Sequence, residues 1–313
     1  MKKLVSTFIV CFLATIIQAQ SFKVKRVIDK YDVKCMVDTI KNRSAASFWK
    51  TVHNNNKRFI DFEKAFNKKN ETLGQALIVI DAASKYNNEH ESSTVDYDSL
   101  GIALSNDLGI SKIIEDRPIK FILQQDINAS MDAYGQMRIN WGAVCKLSYE
   151  ELLAICAHET AHYTCLHVVS GIWKTAKKYK NNRMWADIGA GLFIGAAAAT
   201  SAYTASSGYE ATGANEALSN ADIIFQGAYN YADNATEKFH YRYSRDEESE
   251  ADIIAYRFLE YIGSSGDYLI SAFKKMKLLY GDSPEGDYED HPTLSFRIEV
   301  LEAMKNGYGG KRK

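Results

Sequence analysis

Ser148-Tyr149-Glu150-Glu151-Leu152-Leu153-Ala154-Ile155-Cys156-Ala157-His158-Glu159-Thr160-Ala161-His162 is the stretch whose reading sets the fold of this chain. Ser148 with Glu151 three residues later forms a capping box ahead of an apolar run, so a helix starts here and carries through the two histidines. Residues four apart lie about 40° apart around a helix axis, so His158 and His162 can hold one metal ion together. Glu159 is rotated about 100° from His158 and can instead reach a water activated at that ion, which suits a general base. This is the HExxH pattern of zinc-dependent hydrolysis, and it calls for a third ligand.

Three sources can be weighed for that ligand. A continuation of the HExxHxxGxxH type needs Gly at 165 and His at 168, where the chain has Cys165 and Val168. His167 lies about 900° beyond His158 on a continued helix, which puts it on the far face. There remains a carboxylate from another helix, and Ser244-Arg245-Asp246-Glu247-Glu248-Ser249-Glu250-Ala251-Asp252 offers several. With Glu248 as reference, Ala251, Ala255, Leu259 and Ile262 fall within about 60° of it, so Glu248 points with the apolar stripe. Glu247 lies at the stripe's margin as a rival, and Glu250, about 160° away, is expected to face solvent. A carboxylate on an apolar face is costly unless it is paired or bound to metal. Asp252, one turn after Glu248, can receive the free ring N–H of a ligating histidine. Acidic residues also favour a helix's first turn in solvent, and the spacing alone leaves that reading open.

Taken as a pair, HETAH and the downstream SRDEESEAD resemble the HExxH and SRxxExxAD motifs of the gluzincin metallopeptidases of family forty-eight. That family includes HtpX, the CAAX prenyl protease and the mitochondrial protease OMA. His167, Asn128-Ala129 before Gly135, and His291-Pro292 with Arg297 match further elements, and the likeness runs from about Tyr97 to Met304. The resemblance implies an α+β, mainly helical, zincin-like core with a small β-sheet and an active-site HExxH helix. It implies one Zn2+ held by His158, His162 and Glu248, with Glu159 catalytic and Asp252 and Arg297 bracing the ligands. His291 would stabilise the developing oxyanion or occupy the open metal position when the enzyme is idle. The chain resembles a soluble exported branch of that family, similar to the BepA and LoiP periplasmic proteases. With about 16 residues after Arg297, the tetratricopeptide domain that some of that branch carry is not expected here.

Lys2 and Lys3, the apolar run Leu4 to Ile17 and the small residue Ala19 form the three parts of a secretory signal peptide. About 14 apolar residues is short for a membrane span. The expected organisation is a signal peptide over 1–19, an N-terminal helical region over 20–95, a zinc metallopeptidase domain over 96–305 and a basic tail over 306–313. Within the second of these, helical segments run over Ala46 to Phe66 and Leu73 to Lys85, with a polar break at Asn54-Asn55-Asn56. They either pack around the protease core or form a small separate domain.

A 46% hydrophobic content allows a full core, and a formal net charge of −1 gives no reason to expect nucleic acid. The expected partner is a polypeptide, with misfolded envelope proteins as one class, in the periplasm or outside the cell, without stable membrane insertion. Ile188 to Ala205 is an uncharged Ala- and Gly-rich run read as an insertion or lid rather than a span. Strands are expected over Ile119 to Gln124 and Gln136 to Ile139, either as a core hairpin or with an edge that pairs with substrate backbone. Cys165 reads as a small core residue under the site. The competing reading of the whole is a non-catalytic, chaperone-like envelope protein whose zinc only ties helices together.

Overall fold

The computed structural model describes residues 21–89, 93–110, 117–178, 245–282 and 292–308. The expected signal peptide, the Ala- and Gly-rich run, His291 and the last basic residues lie outside them. The architecture is α+β and mainly helical, with one small mixed sheet. In chain order the described elements are α1 (residues 21–31), α2 (Lys34–Val37), α3 (Ala45–Asn55), α4 (Lys57–Asn67), α5 (Glu71–Glu89), β1 (Thr94–Val95) and α6 (Asp98–Leu108). There follow β2 (Lys120–Ile122), β3 (Ala129–Met131), β4 (Met137–Asn140), α7 (Trp141–Lys146), α8 (Tyr149–Thr164) and α9 (His167–Lys178). Beyond residue 244 come α10 (Arg245–Tyr261), α11 (Asp267–Tyr280) and α12 (Leu294–Lys305).

Helix α8 is the central element, packed by α10, α11, β3, α6 and α3. Its start is the capping box: Ser148 Oγ accepts from Glu151 N at 3.2 Å, and Ser148 N donates to Glu151 Oε2 at 2.8 Å. Between Glu151 and His162 every side chain except Glu159 is buried, so the helix has no solvent face for most of its length.

The sheet runs in the order β1-β2-β4-β3. β2 and β4 are parallel neighbours, whereas β3 pairs antiparallel with β4, placing Ala129 opposite Ile139 and Met131 opposite Met137. The two expected strands are therefore inner strands and not a hairpin, and the edges are β1 and β3. The hairpin partner, β3, is three residues long, too short to announce itself by alternation. Its turn is held by Asp132 Oδ1, which accepts from Tyr134 N and Gln136 N, both at 2.9 Å. Gly135 sits at φ +85°, a conformation that side chains rarely adopt.

Helices α1, α2 and α3 share the core that contains α8 and α10, whereas α4 and α5 pack with α9 in a second apolar cluster. α3 ends at Asn55, in the polar break, with Asn56 as its C-cap, and its Phe48 and Trp49 pack on Phe258 of α10, with ring centroids 5.3 and 4.5 Å away. Asp32 grips Arg257 with paired bonds of 2.8 and 2.9 Å. α10 is consequently buried all round from Glu247 to Leu259, where a one-sided stripe was expected. Glu250 is 7% exposed and does not face solvent. A helical wheel assumes one wet face, and α1, α3 and α4 remove it.

Candidate metal centre

α8 brings His158 and His162 to one side, and α10 presents Glu248 to them across the helix interface. His158 Nε2 lies 3.0 Å from His162 Nε2, and Glu248 reaches 3.6 Å from the first and 3.4 Å from the second. All three side chains are buried, His162 to 1% and Glu248 to 3% exposure. A tetrahedral zinc ion with bonds of about 2.0–2.1 Å separates its ligands by about 3.3–3.4 Å, and the three spacings bracket that edge. Two imidazoles and one carboxylate are also the donor types of a catalytic zinc site that keeps a position for water. The donor set fits zinc.

The surrounding groups orient these donors. Asp252 Oδ1 is 2.9 Å from His158 Nδ1, so that nitrogen carries the proton and Nε2 presents its lone pair to the centre. Arg297 of α12 forks onto Asp252 with Nε at 2.8 Å and Nη2 at 2.7 Å, and its Nη1 reaches Glu248 at 3.2 Å. Its guanidinium sits 4.1 Å from the centre of the Phe273 ring, which closes the apolar side. Glu159 is only partly buried, and its carboxylate stands 3.9 Å from His158 Nε2, at the rim of the donor triangle.

Electrostatics follow from burial and these pairs. Burial works against a charged His158, but the Asp252 hydrogen bond and the Asp252 and Glu248 charges outweigh it, so its pKa lies above the ordinary histidine value. For His162 burial prevails, helped by the His158, His167 and Arg297 charges, and the pKa falls well below that value. His162 is thus neutral, the form that can ligate. Burial raises Asp252, yet Arg297 and His158 hold it below its usual range.

One residue set aside in the sequence lies against this site. α8 ends at Thr164, Leu166 adopts φ +56°, and α9 begins at His167, so the helix does not continue as assumed. The reversal brings His167 Nδ1 to 2.8 Å from His162 Nδ1. His53 of α3 pins the reversal by donating from Nδ1 to the Thr164 carbonyl at 2.9 Å. The stretch Thr164-Cys165-Leu166 contains no glycine or proline, so no local signal marked the turn.

Buried histidine and carboxylate donors converging on one point, with a further carboxylate at the rim, define the class: a metal-dependent hydrolase centre on an HExxH helix. The chain matches peptidase family M48 over residues 114–305 and belongs to that family of zinc-dependent metallopeptidases. A comparison with curated proteins returns no match. The described fold is the α+β, zincin-like arrangement expected of the family.

Proposed function

We propose that this chain is an exported zinc metalloendopeptidase acting in protein quality control of the cell envelope. The observation that carries the reading is the convergence of His158, His162 and Glu248 within 4.8 Å of one another, with the Glu159 carboxylate beside them. These three residues would hold the zinc. When bound, the ion supplies Lewis acidity and brings the pKa of water at that point to about 7. Glu159 takes the proton of the attacking water and returns it to the leaving amine. Asp252 and Arg297 fix the His158 ring and the Glu248 carboxylate, so the donors need no rearrangement during turnover.

Substrate backbone is taken as an added strand on β3, which packs against α8 and pairs only with β4 among the described residues. Main-chain pairing gives affinity without much side-chain selectivity, as degradation of many unfolded chains requires. Export is supported by Lys2, Lys3, the Leu4 to Ile17 run and Ala19. Among the described residues no helix is long and apolar enough to cross a membrane.

The test combines casein hydrolysis and zinc content with proteomics of the exported fraction, comparing cells that carry wild type and Glu248→Ala. The reading expects casein cleavage and zinc in the wild type only, and envelope proteins that accumulate with the variant. A zinc-loaded wild type that cleaves nothing would favour the chaperone-like alternative.

A further inference from the structure

His162 can ligate through Nε2 only if its proton sits on Nδ1, and that nitrogen faces another imidazole rather than a carboxylate. His167 Nδ1, at 2.8 Å, must then be the acceptor, which puts the His167 proton on Nε2. His167 Nε2 lies 3.3 Å from Glu250 Oε2. Glu250 is held in turn by Arg58 Nη1 at 2.7 Å and Asn56 Nδ2 at 3.3 Å. Every donor in this row meets an acceptor, and the row has one sense: from His162 through His167 to Glu250, ended by Arg58.

We propose that His167 and Glu250, anchored by Arg58 and Asn56, are positioning residues that fix the ring and tautomer of His162 for zinc. The inference rests on the metallopeptidase reading and extends it, because Arg58 and Asn56 belong to α4 and its N-cap, ahead of the matched family segment at 114–305. The N-terminal region thereby becomes part of the metal site. His158 obtains the same service from Asp252 directly, whereas His162 obtains its carboxylate one imidazole further away.

The same cluster, with Cys165, also has the spacing of a second cation site, since Cys165, His167 and Glu250 donors lie within 4.8 Å of one another. Arg58 decides against it. Its guanidinium already provides the positive charge at Glu250, and burial pushes the Cys165 thiol well above its ordinary pKa, away from the ligating thiolate. The left-handed backbone at Leu166, uncommon for a residue with a side chain, is the conformation that turns His167 back onto His162.

The experiment uses the zinc-loaded full chain labelled with nitrogen-15. A coupling across the hydrogen bond between the Nδ1 nuclei of His162 and His167 is expected, with a solvent-protected proton on His162 Nδ1. Zinc affinity is then measured by chelator competition with Zn2+ alone. His167→Leu should weaken it about ten- to a hundredfold, and His167→Gln, which keeps an acceptor and a donor in place, should restore most of it. Absence of the coupling in the wild type, or wild-type affinity in His167→Leu, would overturn the proposal. If His167→Leu does not fold, the wild-type coupling alone decides. A wild type that binds no zinc at all would instead remove the metallopeptidase reading, a result distinct from either.

Discussion

Replacing Arg297 by methionine isolates what the buried charge network contributes apart from catalysis. The guanidinium makes two bonds to Asp252, at 2.8 and 2.7 Å, and a third contact to Glu248 at 3.2 Å. Methionine keeps much of the apolar contact with Phe273 but leaves two carboxylates, 1% and 3% exposed, without their cation. Breaking a buried pair by removing one partner costs about 3–5 kcal/mol. At about 2.1 cal/mol/K of unfolding entropy per residue this lowers Tm by about 5–8 °C for a chain of this size. The assay is thermal unfolding of the metal-free protein, followed by circular dichroism, for wild type, Arg297→Met and Arg297→Met combined with Asp252→Asn. The double variant should recover a substantial part of the loss, because the stranded charge at 252 is gone. Added zinc should raise the Tm of the single variant, since the ion binds the folded form and offsets the Glu248 charge. A metal-free Arg297→Met whose Tm stays within about 2 °C of wild type would refute the argument that this arginine neutralises the site.

Two further outcomes follow from the same contacts. Glu151 joins the capping box of α8 to Lys275 and Ser271, each at 2.6 Å. Burial pushes Glu151 up, but Lys275, Ser271 and the Ser148 N–H together hold it below its ordinary 4.5. A carboxylate depressed in the folded state contributes stability above its unfolded pKa and loses it as pH falls through the folded one. Glu151→Gln should therefore cost about 1–2 kcal/mol in urea unfolding at pH 7, and the gap should close below about pH 4.5. Chelation should abolish peptide hydrolysis and lower Tm in wild type, with both restored by Zn2+; in Glu248→Ala the chelator should leave Tm unchanged.

The central helix was legible because its signals are local. Ser148 and Glu151 mark its start, the apolar run drives its burial, and the histidine spacing fixes which side faces the ion. Asn56 likewise appears where polar residues interrupted the helical pattern, and it caps α4 through Arg58 N at 2.8 Å. The place of His167 is not legible in the sequence, because it depends on a break at Cys165 and Leu166 that no glycine or proline announces. The burial of Glu250 has a non-local cause. Its partners Arg58 and Asn56 are almost 200 positions away in sequence, and periodicity cannot say that a second layer of helices covers the apparently wet face. The sheet shows the same limit: Phe121 and Ile139 read correctly as strand residues, but their parallel pairing and the short β3 beside them are set by tertiary contacts.

The most direct test of the account is Glu159→Gln, assayed for zinc and for cleavage on one preparation. Glutamine preserves the shape at the rim of the donor triangle, so native mass spectrometry should still find one zinc per chain. Casein hydrolysis should fall by about 10²–10⁴, because glutamine cannot take the proton of the attacking water. A zinc-loaded Glu159→Gln protein that cleaves at the wild-type rate would contradict the assignment of this carboxylate, and with it the mechanism derived from the site.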